Sequence, residues 1–306
     1  MDLSLHIFFT LLSLLLLWKG SEWLVESAAR IAKHLGISQL IIGLTVVALG
    51  TSAPEFAVTI GAAINGQSNI SVSNVIGSNI FNLGFILGGV AVIKAIESSP
   101  RLIKRDGTIL VVSTILLFLF LFNLHLSRIE GIIFALGLIL YNLYLFHQRE
   151  PIDIKLKHTP AKKLDVMILI VGILLVIAGG YLLREGSVFI ARSIGISNWV
   201  IGATVVAAGT SAPEFATSLM ASLRGHHSIS AGNLIGSCIY NTLGVLGLAA
   251  IIRPLNVMHN ARSSTLMLSG LIILSLIFLA TGKKIARKEG LILLAIGIVI
   301  WIIEFL

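Results

Sequence analysis

Charge is what this sequence has least of. Only 12% of its 306 residues are Asp, Glu, Lys or Arg, while 56% are hydrophobic and the mean hydropathy is +0.99. A soluble domain of this length would have too few polar groups to cover its surface, so an integral membrane protein is expected. Cysteine is nearly absent. The single Cys238 excludes an internal disulfide and a metal site built from several thiolates. The sequence also lacks H-E-x-x-H, G-x-S-x-G and a Walker loop, which argues against a membrane enzyme and against an ATP-driven pump within this chain. No basic region precedes the first apolar run, so that run is expected to be a retained helix and not a cleaved signal.

What the chain has is long apolar runs. A spanning helix needs about 20 such residues, and on that rule the sequence predicts an all-α integral membrane fold of ten spans. The first half gives 4–24, 38–63, 70–94, 107–125 and 129–147; the second gives 164–184, 197–221, 228–252, 263–281 and 287–305. Between the halves, 148–163 is polar, with two prolines and five basic residues, and is expected to be a cytoplasmic linker.

The halves, 1–147 and 164–306, are an internal repeat at an offset of 159. Residues 43–59 match 202–218 at 13 of 17 positions, and 70–88 match 229–247 at 10 of 19. A repeat of this kind sets the architecture. Five spans is an odd number, so the second copy must enter the bilayer inverted. Inverted repeats with broken helices at the centre, here the second and seventh, are a design of secondary transporters, with the site near the midplane.

The net charge of +8 is informative by position. Assigning each basic residue to its nearest loop puts 17 of the 22 on the side holding 25–37, 95–106, 148–163, 222–227 and 282–286, and 5 on the other. Positive charge marks the cytoplasmic side, so both termini are expected outside the cytoplasm, and a nucleic-acid partner is not expected.

Two identical stretches carry the chemistry: Gly50-Thr51-Ser52-Ala53-Pro54-Glu55 and Gly209-Thr210-Ser211-Ala212-Pro213-Glu214. Each lies near the middle of an apolar run, where a carboxylate costs about 2.5–3.5 kcal/mol on insertion scales. Pro54 removes a backbone donor and crowds the carbonyl of Gly50, so carbonyls near 47–50 are expected to lose helical partners. Irregular backbone at this depth survives only where it lines a cavity, and a bound cation would satisfy it. Thr51, Ser52 and Glu55 share a helix face, as do Thr210, Ser211 and Glu214. Asn74, Ser78 and Asn82 recur at intervals of four, and so do Asn233, Ser237 and Asn241, giving each neighbouring span a polar stripe. Gly77, Gly88, Gly236 and Gly247 are expected to let these helices approach closely.

All these donors are oxygens, which suit Ca²⁺, Na⁺, Mg²⁺ or Mn²⁺ over Zn²⁺ or Cu⁺. Two glutamates match the charge of one divalent ion, and a flexible set of about six to eight oxygens favours Ca²⁺ over octahedral Mg²⁺. When Ca²⁺ leaves, Na⁺ or protons must neutralise the carboxylates before the site reorients, which is a physical basis for exchange.

The doubled G-T-S-A-P-E…S-x-x-N-x-I-G-S-x-I-x-N pattern resembles the calcium/cation antiporter superfamily, most closely its prokaryotic sodium/calcium exchanger branch. The similarity covers essentially all ten predicted helices. It implies a central core of the two pairs of repeat helices, with the first and sixth helices sliding across it to alternate access. It also implies ion binding by Thr51, Ser52, Glu55, Ser78 and Asn82, by Thr210, Ser211, Glu214, Ser237 and Asn241, and by the carbonyls of Ala48 and Ala207. Some members carry an acidic residue where this chain has Asn241, so the site here has two carboxylates. The Thr-Ser pair before each Ala-Pro-Glu favours Na⁺ over H⁺ as counter-ion.

The expected function is therefore exchange of Ca²⁺ for Na⁺ by a multi-pass antiporter, with no cofactor and no obligatory protein partner. A Ca²⁺/H⁺ antiporter is the alternative, and a cation channel is the competitor from another class. The remaining notable residues have plainer readings. Glu22, Glu26 and Glu185 are expected to be solvated at helix ends, Thr59 and Ser218 to serve interhelix packing, and Cys238, which replaces Asn79 of the other copy, to be a small packing residue. His226 and His227 are expected in an exposed loop. Trp18, Trp23, Trp199 and Trp301 are expected as interfacial anchors.

Overall fold

The structure is a computed structural model and describes residues 3–148, 163–195 and 207–305. The predicted linker, the start of the seventh span and Trp199 lie largely or wholly outside them. The described chain consists of helices joined by short turns, with four two-residue strands. In order it forms α1 (Leu3–Leu35), α2 (Gln39–Thr51), α3 (Ala53–Ile64), α4 (Ser68–Ile93), β1 (Ile96–Glu97), α5 (Leu102–Asn123), β2 (His125–Leu126), α6 (Arg128–His147) and α7 (Lys163–Ser193). There follow α8 (Ala207–Thr210), α9 (Ala212–Leu223), α10 (His227–Ile252), β3 (Leu255–Asn256), α11 (Asn260–Gly282), β4 (Lys284–Ile285) and α12 (Arg287–Phe305). Seven of the described helices are long and apolar enough to cross a membrane, and the bent pair α2–α3 makes an eighth candidate.

Local chemistry sets the helix ends. Ser38 caps α2 by accepting from the Ile41 N–H at 3.2 Å. Ser127 and Glu130 form a reciprocal capping box at the start of α6, which satisfies two of the orphan donors of the first turn. Glu289 repeats half of that box on α12 by accepting from the Ala286 N–H at 3.1 Å. Helices α1 and α7 run about three turns beyond the ends expected for their spans, to Leu35 and Ser193. On that stretch of α1, Arg30 pairs with Glu26 and with Asp165.

The backbone repeats the sequence offset. Left-handed conformations occur at Gly36 and Gly195, Gly66 and Gly225, and Leu124 and Lys283, each pair 159 apart. The strands pair β1 with β4 and β2 with β3, both antiparallel, so each two-stranded ladder joins one half of the chain to the other.

Packing divides the interior into two apolar clusters. One lies along α1 and α7 and includes Leu17, Leu24, Val25, Leu169 and Val176. The larger one joins α4, α5, α6, α10, α11 and α12 around residues such as Leu83, Phe134, Leu234 and Leu246. Both rely on close backbone approach. A Cβ on Gly172 would sit 2.7 Å from the Leu24 nitrogen, and one on Gly88 would sit 2.9 Å from the Gly290 carbonyl oxygen. The pair Gly131 and Gly247 repeats that second contact in the other half, at 2.7 Å. Gly236 meets α2 in the same way, whereas among the described residues nothing lies within 4 Å of a Cβ on Gly77. The outward faces carry Leu11, Ile129, Phe122 and Leu140, each more than 60% exposed. Such a surface suits lipid and would aggregate in water.

Charged groups gather at the helix ends. Arg30 on α1 bonds Asp165 on α7 at 2.6 Å, and Arg224, between α9 and α10, pairs with Glu26 of α1 at 3.1 Å and with Glu22. Glu22 and Glu26, expected to be solvated, instead tie α1 to its neighbours, because the turn after α9 brings a guanidinium against them. Glu185 pairs with Arg184. His226 and His227, expected to be exposed, are half-buried, and His226 Nδ1 lies 3.1 Å from Gln39 Oε1. Trp18 and Trp23 are exposed on α1.

Two outcomes follow. Gly172→Val should force α1 and α7 apart and cost about 1–3 kcal/mol, seen as a lower unfolding temperature of the detergent-solubilised protein. Burial holds the His226 imidazole below its ordinary value, against a raising contribution from Glu26 and lowering ones from His227 and Arg224. The unfolded chain then binds the proton more readily, so this contribution is complete above about pH 6.5 and declines as pH falls below it. His226→Gln should flatten that part of a melting-temperature profile between neutral pH and pH 5.

Candidate functional site

The two Ala-Pro-Glu motifs occupy equivalent bends. Pro54 and Pro213 fall in the first turn of α3 and α9, where a missing N–H costs least. Helices α2 and α3 meet at 51° across Ser52. The last bond before the bend runs from the Ser52 N–H to the Ala48 carbonyl at 3.0 Å, and the first across it from the Phe56 N–H to the Ser52 carbonyl at 3.1 Å. The Ala48 carbonyl, expected to lack a helical partner, is thus engaged; Thr51 Oγ1 is also 3.3 Å from it. The Phe215 N–H bonds the Ser211 carbonyl at 3.1 Å in the same manner. Ala207 is the first residue of α8, and the preceding residues lie outside the described ones.

Each glutamate is held by the opposite motif. Ser52 Oγ donates to Glu214 Oε1 at 3.0 Å, and Ser211 Oγ donates to Glu55 Oε1 at 3.2 Å. The hydroxyls of Thr51 and Ser237 also approach the Glu214 carboxylate. The two carboxylates are close enough to repel one another. Glu55, Glu214, Ser52 and Ser211 are wholly buried, and Thr51, Thr210, Ser78, Ser237, Asn82 and Asn241 are buried around them.

The polar stripes divide their work. Asn74 Nδ2 donates to Thr59 Oγ1 at 2.9 Å, and Asn233 Nδ2 donates to Ser218 Oγ at the same distance. Thr59 and Ser218 therefore join the α3–α4 and α9–α10 contacts, as expected of packing residues. Asn233 adds a link to the other half by accepting from Thr51 Oγ1 at 3.0 Å. Asn82 and Asn241 do not continue a simple i, i+4 stripe. They sit in wider π-helical turns, Phe81–Leu87 and Tyr240–Leu246, which shift the register after Ile80 and Ile239. Such turns often mark functional positions.

Four oxygens stand apart. Among the described residues, Glu55 Oε2, Glu214 Oε2, Asn82 Oδ1 and Asn241 Oδ1 are buried with no hydrogen-bond partner, and unlike the equally unpartnered hydroxyls of Thr217 and Ser222 they form two pairs related by the repeat. Unpaired buried acceptors are costly, and ionised ones more so. Their chemistry, two carboxylates and two amide oxygens with hydroxyls beside them, suits a hard cation and excludes a soft one.

Sequence reasoning passed over three polar groups. Asn79 links to Thr242 Oγ1 at 3.0 Å and to Asn241 at 3.2 Å. Asp106 is fully buried between Arg105 at 2.7 Å and the Tyr141 hydroxyl at 2.9 Å. The only sign in the sequence was that each breaks the repeat, with Cys238, Leu83 and Thr265 at the mirror positions of Asn79, Thr242 and Asp106.

The sodium/calcium exchanger protein family matches residues 5–147 and 164–305. The sodium/calcium exchanger MaX1 of Methanosarcina acetivorans is 34% identical over 99% of both chains. CaxA of Alkalimonas amylolytica, described as a candidate antiporter, is 38% identical over 94% of both. Among solved structures, the sodium-calcium exchanger NCX_Mj soaked without Na⁺ and Ca²⁺ superposes with a TM-score of 0.87 at 32% identity, covering 97% of this chain and 98% of the other. The buried oxygen set and these likenesses along nearly the whole chain agree, and this multi-pass membrane protein belongs to the sodium/calcium exchanger family of antiporters.

Proposed function

We propose that the protein exchanges Ca²⁺ for Na⁺ across the membrane by alternating access. The observation that carries this reading is the set of four unpartnered oxygens on Glu55, Glu214, Asn82 and Asn241. Two adjacent carboxylates in a dehydrated pocket repel each other, and one Ca²⁺ cancels both charges. Thr51, Ser52, Thr210, Ser211, Ser78 and Ser237 would complete the shell from positions already buried around the acids. The carbonyls of Ala48 and Ala207 would join it, the first as the Thr51 hydroxyl turns from it to the ion. Without Ca²⁺ the pocket must take up other cations before it can cross to the opposite face, so outward and inward fluxes are coupled. This requirement distinguishes an exchanger from a channel.

The ten-span layout of two inverted five-helix repeats, 1–147 and 164–306 joined by a linker at 148–163, is part of this reading. Several features support it: the offset of 159 between left-handed backbone positions, the β1–β4 and β2–β3 ladders, and the paired bends at Pro54 and Pro213. The excess of Lys and Arg on the side of β1, β4 and the turn after α9 supports a cytoplasmic location for that side and both termini outside. MaX1 and NCX_Mj are by name sodium/calcium exchangers, which supports Na⁺ as the counter-ion.

Purified protein in liposomes provides the test. Na⁺-loaded vesicles should take up ⁴⁵Ca²⁺ at clamped pH while choline-loaded vesicles do not; uptake driven by a proton gradient without Na⁺ would make it a Ca²⁺/H⁺ antiporter. Glu55→Gln and Glu214→Gln should each abolish uptake while leaving the protein folded, and intact uptake in both would end this assignment. Ca²⁺ at about 100 times its Kd should stabilise the wild type by about 2.7 kcal/mol, read as a higher unfolding temperature, and should not stabilise either variant to that extent.

A further inference from the structure

The two halves of the site differ one residue away from the acids. The first half has Asn79 where the second has Cys238, and Thr242 faces it where the first half has Leu83. Asn79 is fully buried. Its Nδ2 donates to the Cys238 carbonyl at 3.3 Å and to Thr242 Oγ1 at 3.0 Å. Thr242 Oγ1 donates its own proton to that carbonyl at 3.0 Å, so it accepts from Asn79. A backbone carbonyl can only accept, which fixes the orientation of the Asn79 amide and turns its oxygen the other way. Asn241 must answer that oxygen with a donor, and its Nδ2 does so at 3.2 Å. The Asn241 oxygen is thereby turned away from the clamp, buried and unpartnered. The mirror residue Asn82 has no such clamp. Position 238 offers it a thiol, a weak partner, and neither of its amide atoms has a hydrogen bond among the described residues.

We propose that Asn79 is a positioning residue that locks the Asn241 carbonyl oxygen towards the transported cation and leaves Asn82 free to turn, so the two mirror-related half-sites bind unequally. This rests on the cation-exchange reading above. The locked amide presents an acceptor at no reorganisation cost. The unlocked one can present its oxygen to a bound ion, or its NH₂ to a glutamate when the ion leaves. Loss of an outer-shell partner of this kind weakens metal binding by about 10–100-fold.

The test is Na⁺-driven ⁴⁵Ca²⁺ uptake with KM and maximal rate determined separately, on variants checked for a monodisperse folded state. Asn79→Cys should raise the KM for Ca²⁺ about tenfold with the maximal rate largely kept. Adding Cys238→Asn should restore it, because the clamp then acts on Asn82. Adding Cys238→Val instead restores volume without an amide and should leave KM high. Thr242→Val, nearly isosteric, should move KM the same way by about threefold. A wild-type KM in Asn79→Cys and in Thr242→Val, alongside a raised KM in Asn241→Ala, would overturn the clamp and leave the exchange reading standing. Unchanged uptake in Asn241→Ala and Glu214→Gln would overturn both. Equal rescue by Cys238→Asn and Cys238→Val would reduce Asn79 to a packing residue.

Discussion

Each buried glutamate depends on a serine from the other half of the chain. Ser52 reaches Glu214 and Ser211 reaches Glu55, so neither carboxylate has its hydroxyl partner until both halves are folded and docked. Both acids are wholly buried, and an unpaired buried acid costs several kcal/mol. The bends at Pro54 and Pro213 put each serine at the turn and each glutamate on the next helical face, which makes the reciprocal bond possible. The glycine contacts then matter for a mechanical reason. They bring helices from the two halves close enough for a side chain as short as serine to cross between them.

The symmetry of this frame is strong but incomplete, and its departures are polar. Asn79 reaches Asn241 and Thr242 in contacts that Cys238 and Leu83, at the mirror positions of Asn79 and Thr242, cannot repeat. Buried amides cost more to misplace than methyl groups do, because a wrong orientation leaves a donor facing a donor. Small sequence differences between the repeats therefore have large consequences for which oxygens face the centre. The α1–α7 layer stands apart from this asymmetry. Arg30–Asp165 joins its two helices, and it meets the rest through the apolar cluster shared with Ile42, Val47 and Ala221 and through Arg224 with Glu22 and Glu26.

Much of the architecture could be read from residues because it rests on covalent or compositional constraints. The apolar runs have the length a bilayer demands, the offset of 159 recurs in backbone conformation as well as in identity, and a proline in mid-run bends a helix wherever it lies. The twin Thr-Ser-Ala-Pro-Glu stretches marked the candidate site because acid, hydroxyl and proline together are expensive in lipid. Their residue types also restricted the ligand class to hard cations, since no thiolate or imidazole accompanies them.

Other features depend on neighbours far away in sequence. Spacing by four suggested one continuous stripe through Asn74, Ser78 and Asn82, yet a π-helical turn shifts Asn82, because packing between helices and not local propensity decides where an extra residue is accommodated. The burial of Asp106 against Tyr141, the half-burial of His226 on Gln39 and the pairing of Arg224 with α1 each join residues 35 or more positions apart. By itself, then, the sequence determined the class of fold, the repeat and the donor chemistry, because these follow from what a bilayer allows. Only the tertiary structure decided which buried oxygens are left without partners, since that depends on which donors the packed helices bring within about 3 Å.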